Sequence, residues 1–320
     1  RNSWVYDLIC PKCQYQRQPG DESPEWQCPG CGVAYAKARA ADMNIKSVGM
    51  PVRDGTSAGS SGFNFKKLRI SVLLIILAVV ALDSWLSIVR STDWQDSLWV
   101  VVYPVNADAS QAAAEYINTL SSAEFASVQA FFDSETKRYG IDVKDPVEIR
   151  LGPVVAEMPP LPPEDRSILK TIWWSLQLRY WSVAADEYDG PRPDIRVFVL
   201  FHQPENNKRL QHSTALQKGM VSVVHAFASE KSAQQNNFII AHELLHTLGA
   251  SDKYDFQSLM PDYPDGYAEP ALEPLLPQKL AEIMGGRIAI SATEAVMPRS
   301  LSRVLVGEKT AVEIGWRSIK

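Results

Sequence analysis

The chain has 320 residues, 46% hydrophobic and 22% charged, the balance of a folded protein and not of a disordered one. A formal net charge of −5 leaves no global basic footprint, so nucleic acid is not expected as a partner. All four cysteines fall within the first 31 residues, which excludes an internal disulfide from the rest of the chain.

The cysteines are spaced Cys10-x2-Cys13-x14-Cys28-x2-Cys31. Paired C-x-x-C knuckles at this separation put four thiolates around one tetrahedral ion, and a segment this short has too little core to fold well without it. The segment resembles zinc-ribbon domains, and the run from Pro24 to Lys37, PEWQCPGCGVAYAK, looks like the second knuckle of rubredoxins. The resemblance leaves iron open beside structural zinc. Zinc is favoured because Gln14 follows Cys13 where rubredoxins carry Gly-Tyr. Residues 1–38 are therefore read as a zinc-ribbon domain.

From Ala34 to Gly62 the chain loses hydrophobic periodicity, and with the Gly/Ser-rich DGTSAGSSG at positions 54–62 residues 39–68 are read as a flexible linker. The apolar run Ile70–Val89 would span roughly 30 Å as a helix, the thickness of a bilayer's hydrocarbon core. A transmembrane helix is expected over 69–90, with Asp83 toward its far end and Trp85 suited to an interfacial belt. Lys66, Lys67 and Arg69 flank it on one side, against Arg90, Asp93 and Asp96 on the other. That asymmetry places the N-terminus in the cytoplasm and the rest of the chain outside, which in a Gram-negative bacterium would be the periplasm. Reduced thiolates in the ribbon agree with a cytoplasmic N-terminus. The expectation is a single-pass cell membrane protein.

Residues 94–320 read as α/β (α+β), a mixed sheet with helices. Strands are expected at Leu98–Val105, Val147–Leu151, Ile195–Phe201 and Val221–Phe227. Helices are expected at Ser110–Leu120, Ala123–Tyr139 and Ser167–Ala184, the last carrying Trp173, Trp174 and Trp181 as packing aromatics. A further helical segment is expected at Gln278–Met284.

The stretch Asn236–Asp252, NNFIIAHELLHTLGASD, carries the chemistry. His242 and His246 stand four apart, so on a helix they share a face and can hold one metal ion. Glu243 lies about 100° round the helix from His242, placed to act as general base on a water at the metal. Gly249 is the residue type that takes a positive φ at a helix end, turning the chain so that Asp252 can return as a third ligand. Val221–Phe227, just before this helix, is either a sheet edge along which an extended peptide could lie or an interior strand.

HELLHTLGASD fits H-E-x-x-H-x-x-G-x-x-H/D and so resembles the metzincin form of the zincin metalloproteases, with Asp252 where most members have His. The Asp variant, with DKYD at 252–255, is similar to snapalysin and immune-inhibitor-A peptidases. The resemblance implies a zincin-like catalytic domain with a mixed sheet and an active-site helix. It implies catalytic zinc on His242, His246 and Asp252, Glu243 as base, Met260 in SLMP as the hydrophobic floor of a Met-turn, and a protein or peptide substrate. Tyr263 is offered as an oxyanion donor. Gluzincins instead take a Glu from later in the chain, which keeps Glu269, Glu273 and Glu282 open as the third ligand. Asp252, Asp255, Asp262 and Asp265 are oxygen donors that Ca2+ accepts, but no EF-hand spacing is present and solvated carboxylates are the plainer reading. Two other functions stay open: a non-catalytic membrane sensor or binding protein on a zincin-like scaffold, and a rubredoxin-like redox protein.

Overall fold

A computed structural model describes residues 9–18, 20–37, 68–78, 81–82, 93–163, 165, 167–205, 213–216 and 220–318. The chain divides into two compact units, Arg1–Phe65 and Lys66–Lys320. The linker expected at 54–62 lies outside the described residues.

In the first unit each C-x-x-C pair closes a tight turn. Cys10 N–H donates to Tyr15 O and Gln14 N–H to Cys10 O (2.9 and 2.8 Å), and Cys28 N–H to Val33 O and Gly32 N–H to Cys28 O repeat the pattern at the same distances. The buried Arg17 side chain donates to the carbonyls of Pro24 and Gln27 (3.1 Å each) and of Ser23, which ties the two turns together.

The membrane span expected at 69–90 is corrected. Among the described residues no helix is long and apolar enough to cross a membrane. Residues 68–78 and 81–82 are the described helical residues of this stretch. Asp83 and Trp85 lie outside the described residues. The single-pass topology, the cytoplasmic N-terminus and the extracytoplasmic (periplasmic) catalytic domain all rest on that span and fall with it.

The remainder of the second unit is a mixed α/β structure. Its five-stranded sheet has the order β2-β1-β3-β5-β4, built from β1 (Leu98–Asn106), β2 (Val147–Leu151), β3 (Ile195–His202), β4 (Thr214–Leu216) and β5 (Val221–Phe227). The pairs β1–β2, β1–β3 and β3–β5 are parallel, and β4 alone runs antiparallel, against β5. The central strands are apolar at nearly every position because helices cover both faces. Val100, Val102, Val197, Val199, Val224 and Ala226 face α1 (Gln111–Thr119), α2 (Ala126–Arg138) and α4 (Ala233–Thr247). Val101, Tyr103, Phe198, Leu200 and Val223 face α3 (Ile168–Ala184). On α3, Trp174 and Leu178 are buried and Trp181 packs 4.5 Å from Phe198, whereas Trp173 is 63% exposed.

Ser110 caps α1 by accepting from Ala113 N–H (3.1 Å), as its residue type favours. Gln278–Met284 is not helical. It holds the short strand β6 (Ala281–Glu282), paired with β9 (Val304–Leu305), followed by a turn through Gly285 and Gly286. Between them lie β7 (Ile288–Ala289) and β8 (Ala295–Val296), and α5 (Glu308–Glu313) follows. Long-range pairing explains the departure: Ala281 and Glu282 lie parallel to Val304 and Leu305, and the Glu282 carboxylate accepts from Gly307 and Thr310, contacts far along the chain that outweigh the local helical pattern.

Candidate functional site

Strand β5 is paired on both sides, so Val221–Phe227 is an interior strand and not a sheet edge, and β4 is the outer strand on that side. A turn after β5 leads into α4, and Asn236 fastens the junction by accepting from Phe227 N–H (3.2 Å) and donating to Phe227 O (2.9 Å). Asn237 fastens the same helix to α2 through Glu124 O and Ser127 Oγ (2.7 and 2.8 Å). Phe238, Ile240, Ala241, Leu244, Leu245 and Leu248 bury the helix in the core. Gly249 takes φ +107°, a conformation that L side chains rarely adopt, and the chain reverses.

That reversal brings Asp252 to the histidines. His242 Nε2, His246 Nε2 and Asp252 Oδ1 form a triangle with sides of 3.1, 3.1 and 3.2 Å. Ligands at 2.0–2.1 Å from a tetrahedral zinc stand about 3.3 Å apart, so the triangle has the size of one face of such a site. The imidazole tautomers follow from their other partners. His242 Nδ1 faces Ile283 O (2.9 Å) and His246 Nδ1 faces Ala250 O (2.8 Å). Carbonyls only accept, so both Nδ1 atoms carry hydrogen and both Nε2 lone pairs point at Asp252. Three acceptors facing one another at this range attract a cation. Burial lowers the His242 pKa, but Asp252 and Glu243 outweigh it and raise it overall; burial pushes the Asp252 carboxyl up, but His242 and His246 hold it well below the usual range.

Glu243 is buried, burial raises its pKa, and its Oε2 has no hydrogen-bond partner among the described residues. It lines a cleft of about 370 Å³ with the three donors, Ser213, Thr214 and Ala215 of the β4 segment, Tyr254 and Phe256. Burial, with Asp252 and Glu243 nearby, pushes the Tyr254 hydroxyl up to about 12, so it stays a hydrogen-bond donor across the neutral range.

The other residues singled out by sequence lie elsewhere. Glu282 is fully buried and accepts from Gly285 N–H (2.7 Å), Gly307 N–H (2.9 Å) and Thr310 Oγ (2.7 Å). Glu273 is exposed, and Glu269 does not join the histidines. Tyr263 is 62% exposed, its ring edge-on to Tyr267. Met260 sits half-buried in the loop after Asp255 and does not line the cleft. The fully buried methionine of this region is Met284, whose neighbour Ile283 supplies the carbonyl under His242 and whose own carbonyl accepts from Lys253 N–H (2.9 Å). Its sequence signal is a methionine directly before a Gly pair. Asp255 turns its carboxylate to Ser258 and Gln257, and Asp262 and Asp265 are exposed, so no calcium cage assembles. His202 and His225 pair with each other (2.9 Å). His212 lies outside the described residues.

The second convergent group is Cys10, Cys13, Cys28 and Cys31. Cys10 Sγ–Cys31 Sγ is 3.8 Å and Cys13 Sγ–Cys28 Sγ is 3.6 Å. These distances exclude disulfides, whose sulfurs are about 2.05 Å apart, and match the ~3.8 Å edge of a tetrahedron with 2.3 Å metal–sulfur bonds. Burial pushes the Cys10 thiol up, but the backbone N–H groups of Cys13 and Lys12 draw it down to about 7. At Cys13 the Tyr15 backbone N–H draws the thiol down, but Cys31, burial, Cys28 and Cys10 outweigh it and push it up to about 12, as expected of thiols that share one site and ionise in turn. Among the described residues these are the only two groups of three or more His, Cys, Asp or Glu side chains that could hold a metal ion, and the four-cysteine group is compatible with a zinc ribbon. Compared with protein-family models the chain gives no match, and compared with curated proteins it gives none either.

Proposed function

We propose that the second unit is a zinc-dependent endopeptidase of zincin type, metzincin-like with an Asp third ligand, and that the four-cysteine group holds a structural zinc. The observation that carries this reading is the convergence of His242 Nε2, His246 Nε2 and Asp252 Oδ1 within 3.1–3.2 Å, beside a buried Glu243 carboxylate in the same cleft. His242, His246 and Asp252 would hold the zinc. When bound, zinc supplies Lewis acidity, lowering the pKa of a water toward neutrality and polarising a carbonyl.

The residues supply the rest. Glu243 takes the proton from the water as its oxygen bonds to the scissile carbonyl carbon, then gives that proton to the amine as the C–N bond breaks. Burial suits it to this exchange, because a carboxyl with a raised pKa lies closer to neutral pH than an ordinary glutamate. Strand β4 ends the sheet, and among the described residues no strand pairs with its outer side. A substrate main chain laid along that edge would add itself as a further strand over the cleft, which suits an unfolded protein or extended peptide. Tyr254 would donate to the oxygen on which negative charge develops.

The test is hydrolysis of an unfolded protein by the zinc-loaded chain. Glu243→Gln is expected to keep the metal and lower kcat by roughly 10²–10⁴-fold. Undiminished hydrolysis in that variant would sink the reading.

A further inference from the structure

Asp252 is a loop residue. It follows the Gly249 turn and belongs to no helix or strand, yet ligation needs a carboxylate held to within about 0.5 Å. Its two neighbours are both tied to one side chain. Glu313, on α5, accepts Ser251 N–H on Oε2 (2.9 Å), Ser251 Oγ–H on Oε1 (2.8 Å) and Lys253 Nζ on Oε2 (2.8 Å). Lys253 Nζ also donates back to Ser251 O (2.8 Å), which closes a ring of bonds around Asp252. The Lys253 side chain is only 4% exposed and Glu313 19%, so this pair is shielded from the solvent that weakens surface ion pairs. Thr310, Ala311 and Ile314 are fully buried, which anchors the short helix carrying Glu313 in the core.

We propose that Glu313 is a positioning residue for the metal centre. It brackets Asp252 through Ser251 and Lys253 and sets metal affinity without touching the metal. The inference rests on the reading of His242, His246 and Asp252 as ligands. Removing the Glu313 carboxylate frees both flanks of Asp252 and leaves a buried lysine cation without its partner. The loop then loses the geometry in which Oδ1 meets the two Nε2 atoms, and outer partners of this kind commonly set about 10–100-fold in metal affinity.

The experiment is a chelator competition on the full chain loaded with Co2+, where thiolate charge-transfer absorption reports the four-cysteine group and the weaker visible bands report the nitrogen–oxygen site. Glu313→Ala should weaken the nitrogen–oxygen site about 10–100-fold and leave the four-cysteine site unchanged. Ser251→Ala, which removes a single bond of the bracket, should weaken it a few-fold. Wild-type affinity in a folded Glu313→Ala overturns the inference while leaving the ligand assignment intact. If Glu313→Ala does not fold, unchanged affinity in Ser251→Ala overturns it. A wild-type chain that binds metal at the four-cysteine group alone overturns the ligand assignment, and the inference with it.

Discussion

Gln14 and Gly32 occupy the same place in their knuckles, one residue after the second cysteine, and share a left-handed backbone, φ +61° and +68°. Each donates its N–H to the carbonyl of the first cysteine, at 2.8 Å in both turns. Glycine adopts this conformation without strain, whereas for a residue with a Cβ it costs roughly 1–2 kcal/mol. Gln14→Gly should therefore stabilise the metal-bound ribbon by ~0.5–1 kcal/mol, once the greater freedom of glycine in the unfolded chain is subtracted. Followed by the cobalt–thiolate absorbance of the four-cysteine group, the denaturant midpoint should move up. An unmoved or lowered midpoint would show that the Gln14 side chain compensates its own backbone. The positive φ of Gln14 is thus a local strain, and the arrangement of the four thiols tolerates it.

Between α4 and α5 the second unit is a stack of loops, and glycines set their spacing. A Cβ on Gly285 would collide with the carbonyl oxygen of Gly266, and one on Gly266 with the carbonyl oxygen of Lys253. The segment after Asp252 and the turn after β6 therefore touch through bare backbone, and Ile283 reaches His242 from that turn. Gly285→Ala should cost about 1–3 kcal/mol as an overpacked contact. It should also draw the Ile283 carbonyl off His242, so the rise in melting temperature on adding zinc should be smaller than for wild type. Equal zinc-induced shifts in the two proteins would mean that the turn yields without disturbing His242. This region is the least legible in the sequence, and the reason is physical. Val147–Leu151 and Val221–Phe227 are found at their expected bounds, the first because V-E-I-R-L alternates as a half-buried edge strand does and the second because its apolar composition marks a buried one. The His242–Glu243–His246 helix is legible because its pattern imposes the helical period on polar residues. Strand β4 has three residues and owes its existence to pairing with β5, so no local pattern announces it. Met284 and Glu282 are placed by contacts with residues far along the chain, whereas the local SLMP motif points to Met260.

Across the whole second unit the sheet is clamped between two unlike layers, with three helices over one face and α3 over the other. The α3 side carries a buried polar tie. Asp186, just past the helix, accepts Arg196 Nε and Nη2 from β3 (2.7 Å each) and the hydroxyl of Tyr103 from β1. Burial pushes the Asp186 carboxyl up, but the Tyr103 hydroxyl and the Arg196 guanidinium outweigh it and hold it below the ordinary range. A carboxyl whose folded pKa lies below its unfolded value of about 3.9 binds its proton more weakly in the native state. Its contribution to stability is therefore complete above the unfolded pKa and is lost as pH falls through the folded one. Asp186→Asn removes one member of the pair and leaves Arg196, 6% exposed, with its charge uncompensated, a loss of about 3 kcal/mol at pH 7. Urea denaturation at pH 7 and pH 3 should show the gap between wild type and variant narrowing at the lower pH, because the unfolded wild-type carboxyl is already largely protonated there and the native one gains less by staying charged. A gap of equal size at both pH values would show that the tie stabilises the α3 layer through shape and hydrogen bonding alone, without its charge.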